Sequence, residues 1–128
     1  MRYALLNYLN EDRWQGLADA ARTEFVREFA AYHASLQERG CFIDANRLIP
    51  AHSATSVRVR EGVRKVSDAP AVRTDEQFGG YMLIEARDLD EAIELAGHSP
   101  LARFGTVEIR PVMEMPARAV TDSASATA

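Results

Sequence analysis

One stretch limits the possible folds more than any other in this chain. Phe78-Gly79-Gly80-Tyr81-Met82-Leu83-Ile84-Glu85-Ala86 alternates as a strand does, and Gly105-Thr106-Val107-Glu108-Ile109-Arg110-Pro111-Val112-Met113 alternates again. Between them, Asp88 followed three residues later by Glu91 reads as a capping box. Leu89, Ala92, Ile93 and Ala96 give that helix an apolar stripe, and Gly97 with Pro100 ends it. On the final strand Val107 and Ile109 share one face, while Thr106, Glu108, Arg110 and Val112 share the other.

The first half repeats the pattern. Residues 2 to 9 alternate as a strand, and Asn10-Glu11-Asp12 starts a helix with acids in its first turn, where the helix dipole favours them. Trp14, Ala18, Ala21, Phe25, Phe29, Tyr32 and Leu36 hold one helical face until Gly40 stops it. Cys41 to Leu48 is the second strand, ended by Pro50. Ser56-Val57-Arg58-Val59-Arg60 and Val63-Arg64-Lys65-Val66, joined through Glu61-Gly62, form a hairpin. Asp68 to Gln77 is a loop.

Two strand–helix–strand units with a hairpin between them predict an α+β fold, the ferredoxin-like split βαβ arrangement with an inserted hairpin. Such a sheet carries its helices on one face. The other face holds Tyr81, Leu83 and Val112 among ionisable groups, so a second copy covering it is the economical reading: a homodimer with a polar-studded cavity between its sheets. The domain is expected to span residues 1–115. Residues 116–128 have too little apolar bulk to fold and are expected to be a disordered tail.

Composition narrows the partners. A chain of 128 residues suits one domain. A net charge of −4, with Lys65 the only lysine, speaks against nucleic acid. There is no run apolar enough to span a membrane. The N-terminus is too short and polar for a signal peptide, and Cys41 is alone, so a cytoplasmic protein without disulfides is expected. Zinc-ligand spacing, phosphate loop, nucleophile elbow and dinucleotide fingerprint are all missing from the sequence, so no cofactor is expected.

From Arg2-Tyr3-Ala4-Leu5-Leu6 to Glu108-Ile109-Arg110-Pro111-Val112-Met113 the chain resembles the YCII-related, or DGPF-domain, family of small bacterial proteins. The supporting segments are Leu48-Ile49-Pro50, Thr55 to Arg60, Asp68 with Pro70, and Thr74 to Tyr81. The resemblance implies a dimeric α/β barrel, an architecture shared with small cofactor-free enzymes, and in some related proteins a catalytic His–Asp pair. The signature is altered here to Asp68-Ala69-Pro70-Ala71, with Arg73 in place of the usual following acid. Asn46 stands where a pocket acid is usual, and Phe29 where one branch has its catalytic His.

Histidine is the natural acid–base group near neutral pH. His33, toward the edge of the helical face, is a catalytic candidate if it meets Asp44; otherwise its ring packs on the core rim. His52 follows the second strand near the expected cavity mouth. His98 suits a helix C-terminus. Glu108 and Arg110 are either a ligand-orienting pair or a structural ion pair. Asn46, Asp68 and Tyr81 complete the candidate substrate contacts.

Two function classes follow. One is a cofactor-independent acid–base enzyme, of cyclase, isomerase or lyase type, acting on a hydrophobic small molecule in secondary metabolism. The other is a non-catalytic small-molecule-binding or regulatory dimer, associated with an alternative sigma factor as some family members resemble.

Overall fold

The computed structural model describes residues 1–114, so the tail expected at 116–128 lies outside the described residues. In chain order the elements are β1 (Arg2–Leu9), α1 (Glu11–Gln15), α2 (Asp19–Glu38), β2 (Phe42–Arg47), a 3-10 turn (Ala51–Ser53), β3 (Ser56–Arg60) and β4 (Val63–Ser67). They continue with β5 (Gln77–Glu85), α3 (Leu89–Gly97), α4 (Pro100–Phe104) and β6 (Thr106–Pro111). Four strands make one antiparallel sheet in the order β2-β5-β1-β6. This is the ferredoxin-like order, and the sheet of the single chain is open, with an edge at β2 and another at β6.

Alternation decides which residues meet the helices. Tyr3 and Leu5 of β1 and Met82 and Ile84 of β5 are buried with Tyr32 and Leu36 of α2 and Ala92, Leu95 and Ala96 of α3. Val107 and Ile109 pack against this cluster from β6, as the strand pattern requires. The hairpin also forms as read, with Val57 opposite Val66. Its turn takes positive φ at Glu61 (51°) and Gly62 (77°), the pairing that matches the twist of the flanking strands. It stands as a separate two-stranded sheet with its valines exposed.

Three local expectations are corrected. The single helix expected through Trp14 to Leu36 is broken at Gly16, the C-cap of α1, and α2 begins at Asp19. Arg22 bridges the break by donating to the Gln15 carbonyl at 3.0 Å, satisfying an oxygen that the interrupted helix leaves open. On α3, Leu89 and Ile93 are 49% and 52% exposed, while Leu95 is buried. The buried stripe is therefore Ala92, Leu95 and Ala96, rotated from the expected one. Pro100 does more than end α3. With Ser99 as N-cap it opens α4, a proline at the first helical position, where its missing N–H is no loss.

The two longest helices are joined by one polar contact inside this core. The Tyr32 hydroxyl donates to the Leu95 carbonyl at 2.9 Å. Burial, with a smaller contribution from Cys41, pushes the Tyr32 phenol up to about 12 from 10.0. The unfolded chain ionises at the lower value, so stability is full below pH 10 and falls as pH rises toward 12. Tyr32→Phe should lower stability at pH 7 by about 1 kcal/mol, and should flatten that alkaline decline. Denaturant melts from pH 7 to 11.5, roughly spanning the two values, would check both; an unchanged alkaline slope in the variant would assign the decline to other groups.

Candidate functional site

The chain forms a cavity on the helix-covered side of its sheet, and small residues are the reason. Where β5 carries Met82 and Ile84 farther along, this end of the strand is Gly79-Gly80. Ala45 of β2 and Ala30 of α2 are the facing residues. Gly80 has φ of 151°, and a Cβ there would lie 2.6 Å from the Asn46 carbonyl oxygen. A β-bulge lies at this point, with Asn7 opposite Gly80 but Tyr8 opposite Phe78, and the Gly80 backbone runs close against β2. The space left is about 300 Å³.

Aromatic rings wall it. Trp14 meets Phe25 edge-on at 5.1 Å between centroids, and Phe25 in turn stacks on Phe29 at 6.3 Å. Phe104 braces the pair from behind, 5.8 Å from Trp14 and 5.9 Å from Phe25. These contacts fix the ring orientations that a ligand would meet. Phe29, at the position where one family branch has a histidine, belongs to this wall.

Three polar side chains on the helix-facing side reach the cavity. Asn7 comes from β1, Arg47 from β2 and His33 from α2. The His33 ring lies 4.3 Å from Phe42, and its Nε2 is buried without a hydrogen-bond partner. An unpaired buried ring nitrogen is costly unless something else eventually pairs with it. The Arg47 guanidinium lies over the Trp14 ring at 5.7 Å. No carboxylate borders this cavity among the described residues.

The expected meeting of His33 with Asp44 does not occur. A register shift between Phe42 and Asp44 inserts one extra residue in β2, so strict alternation fails there. Phe42 and Ala45 turn to the helices, whereas Asp44 and Asn46 pair with Leu83 and Tyr81 on the uncovered face. The same shift puts Arg47 on the cavity side. Asn46 and Tyr81 still border the cavity at its edge, joined by a 2.8 Å hydrogen bond from the Asn46 amide to the Tyr81 hydroxyl.

The remaining candidates lie elsewhere. His52 is exposed in the 3-10 turn, and Asp68 is exposed just after β4. His98 is the C-cap of α3, as a structural role requires. Glu108 and Arg110 sit on the uncovered face opposite Leu6 and Ala4. They do not pair with each other within salt-bridge distance. Instead they flank Tyr8, whose phenol is pushed up first by burial and then by the Glu108 carboxylate, with Arg110 opposing. Tyr8 also packs on Phe78 at 5.5 Å. Among the described residues no group of three or more His, Cys, Asp or Glu is arranged to hold a metal ion, and no helix is long and apolar enough to cross a membrane.

Two cavity residues were missed in the sequence. Arg47 was hidden by the bulge, and Asn7 looked like one more polar position on a strand. Phe29 packs partly buried against the core and Trp14 is half-buried outside it, and each presents a face to the cavity.

Residues 1–116 match the family model of the YCII-related domain, and the chain belongs to that family. An uncharacterized protein of Rhizobium meliloti (strain 1021) is 31% identical over 114 residues, covering 88% of this chain and 92% of the relative. Among solved structures, the fold is similar to that of 5-chloro-2-hydroxyhydroquinone dehydrochlorinase from Burkholderia phenoliruptrix AC1100, in complex with 2,5-dihydroxybenzoquinone. The TM-score is 0.54 at 13% identity, over 90% of this chain and 96% of the other. That likeness is one of fold.

If the His33 nitrogen is kept for a ligand, the free protein should gain by losing it. His33→Phe should leave stability unchanged or raise it by about 1 kcal/mol, since an unpaired buried acceptor is replaced by an apolar ring beside Phe42. Denaturant unfolding measures this directly. A loss of several kcal/mol would mark His33 as a packing residue.

Proposed function

We propose that the protein is an acid–base enzyme of cyclase, isomerase or lyase type, acting on a compact hydrophobic ring compound in the cavity under α2. His33 is its general base, working without a cofactor as the sequence suggested. The observation that carries this reading is the buried, unpartnered Nε2 of a residue in the wall of a mostly apolar cavity. An imidazole nitrogen with no competing partner is free to take a proton from a bound molecule once the ring turns to expose it to the cavity. Trp14, Phe25 and Phe29 offer flat apolar surfaces suited to a ring, and the fold neighbour is a dehydrochlorinase bound to a hydroxylated quinone.

The test begins with binding. Titration calorimetry with 2,5-dihydroxybenzoquinone and related hydroxylated arenes selects ligands, and those that bind are assayed for turnover. His33→Gln should lower kcat/KM by about 100- to 10,000-fold with the fold intact by melting temperature. It should also abolish the rise of rate with pH that a base produces. Near-native rates in that variant would remove His33 from the chemistry.

One observation favours the second reading, a non-catalytic binding or regulatory protein. Among the described residues no carboxylate borders the cavity to orient the imidazole, and the expected partner Asp44 lies across the sheet. Binding without turnover across the whole panel would select this reading.

The homodimer belongs to the same proposal. The uncovered face gathers Leu6, Tyr8, Phe78, Tyr81 and Leu83, with Phe78 40% exposed, around the Glu108 and Arg110 charges. A second copy seated there would bury the apolar part and let Arg110 find a carboxylate. Sedimentation at micromolar concentration should give about twice the chain mass of 14.2 kDa. Leu83→Arg should shift the equilibrium to monomer; a native monomer would leave the face to another partner.

A further inference from the structure

A second cavity of about 320 Å³ adjoins the first, and the two share Leu9, Trp14, Arg47 and Gly79. We propose that they form one elongated site for a ring-bearing monoanion. Arg47 holds its charge, and an uncharged substituent lies against Leu48, Ile49 and Pro50. The proposal rests on reading the His33 cavity as a ligand site and adds the chemical class of the ligand.

The state of Arg47 carries the argument. It projects from the edge strand β2 between the two cavities, with its guanidinium over the Trp14 ring at 5.7 Å. Among the described residues it makes no hydrogen bond and no ion pair. Its neighbours are engaged: Arg13 lies over Phe104 at 4.6 Å and donates to the Phe104 carbonyl, Arg22 pairs with Asp19, and Arg103 pairs with Glu28. Arg47 is thus a solvent-exposed cation with no ion-pair partner among the described residues, standing where the aromatic and aliphatic walls of the two cavities meet. Its planar fork suits a carboxylate or enolate held by two parallel hydrogen bonds. A ring in the first cavity would then stand between Arg47 and His33.

The second cavity sets the limit on charge. Its one acid among the described residues, Glu11, accepts the Ala51 N–H on both carboxylate oxygens, at 3.0 and 3.1 Å. A second anionic group there would face that carboxylate. Leu48 and Ile49, 43% and 75% exposed, offer instead an apolar wall that an alkyl or aryl substituent would cover.

The test uses the full chain and three probes, 4-butylbenzoate, its primary amide and benzoate, followed by fluorescence of Trp14, the only tryptophan. Native protein should bind 4-butylbenzoate about tenfold or more tightly than the amide, the amount expected of a charge-assisted pair, and more tightly than benzoate. Arg47→Gln should erase the preference for carboxylate over amide at unchanged melting temperature. Arg47→Lys, keeping the charge without the fork, should retain part of it, and Ile49→Asp should erase the benefit of the butyl group. Equal native affinity for acid and amide, or a preference that survives Arg47→Gln, would overturn the role of Arg47 while leaving the cavity as a ligand site. Failure of all three probes to bind at millimolar concentration would overturn the elongated site. His33→Gln separates the layers further, since it should keep the carboxylate preference while losing turnover.

Discussion

The close approach of the Gly80 backbone to the Asn46 carbonyl is the constraint on which the functional end of this fold depends. A Cβ at Gly80 would lie 2.6 Å from that oxygen, so neither strand could hold its position with any other residue there. Because the contact is backbone to backbone, β5 itself presents no side chain beneath the helices at this point, and its neighbours there are Asn7 and Arg47. Farther along β5, Met82 and Ile84 fill the same layer and are buried. The same strand therefore builds packed core at one end and a cavity at the other. A well-packed interior leaves few voids. An open space of this size, walled by mutually braced aromatics, is specified by the sequence and is not a packing defect.

How much of this could be read beforehand depended on whether strict periodicity held. Where alternation was unbroken, as from Tyr81 to Glu85 and from Val107 to Arg110, the buried and outward positions were legible. The fold order followed from them. Legibility ended at bulges and helix breaks. One extra residue after Phe42 reversed the facing of Asp44, Asn46 and Arg47, because a strand has a period of two and a single insertion exchanges its faces. No local signal near Ile43 announces it. Gly16 did offer a signal, as a weak helix former between two helical stretches, but the apolar spacing ran through it from Trp14 to Phe25 and concealed the break. His33 was singled out on its own chemistry; Asp44, the partner expected for it, is turned to the other face by the bulge.

The sheet separates two kinds of polar group. On the uncovered side Glu108, Arg110 and Tyr8 sit together, where burial and then the Glu108 carboxylate push the tyrosine phenol up against the opposing Arg110 charge. These groups answer one another within the chain and toward whatever covers the face. On the helix side His33 and Arg47 answer nothing among the described residues. A fold selected for stability alone would pair the buried His33 nitrogen or replace it with an apolar group, since an unsatisfied polar group in low-dielectric surroundings is expensive, whereas the exposed Arg47 is solvated.

That contrast bears on which family features can be absent without loss of function. The altered signature at Asp68-Ala69-Pro70-Ala71 lies in an outer loop, where Ser56 donates to the Ala69 carbonyl at 2.6 Å and ties the hairpin to the loop. Losing the usual aromatic there leaves the cavity wall intact, because Trp14, Phe25, Phe29 and Phe104 brace one another independently of that loop. Phe29, at the position of a branch histidine, extends this wall, and the imidazole is supplied one helical turn later by His33. A residue four positions on projects from the same face of a helix, so a nitrogen can be presented to the same space from a different backbone site. Under the proposed reading, the absence of a histidine at 29 places the basic nitrogen one helical turn farther along the cavity. The ligand would have to be oriented differently from that of the branch with the histidine at the earlier position.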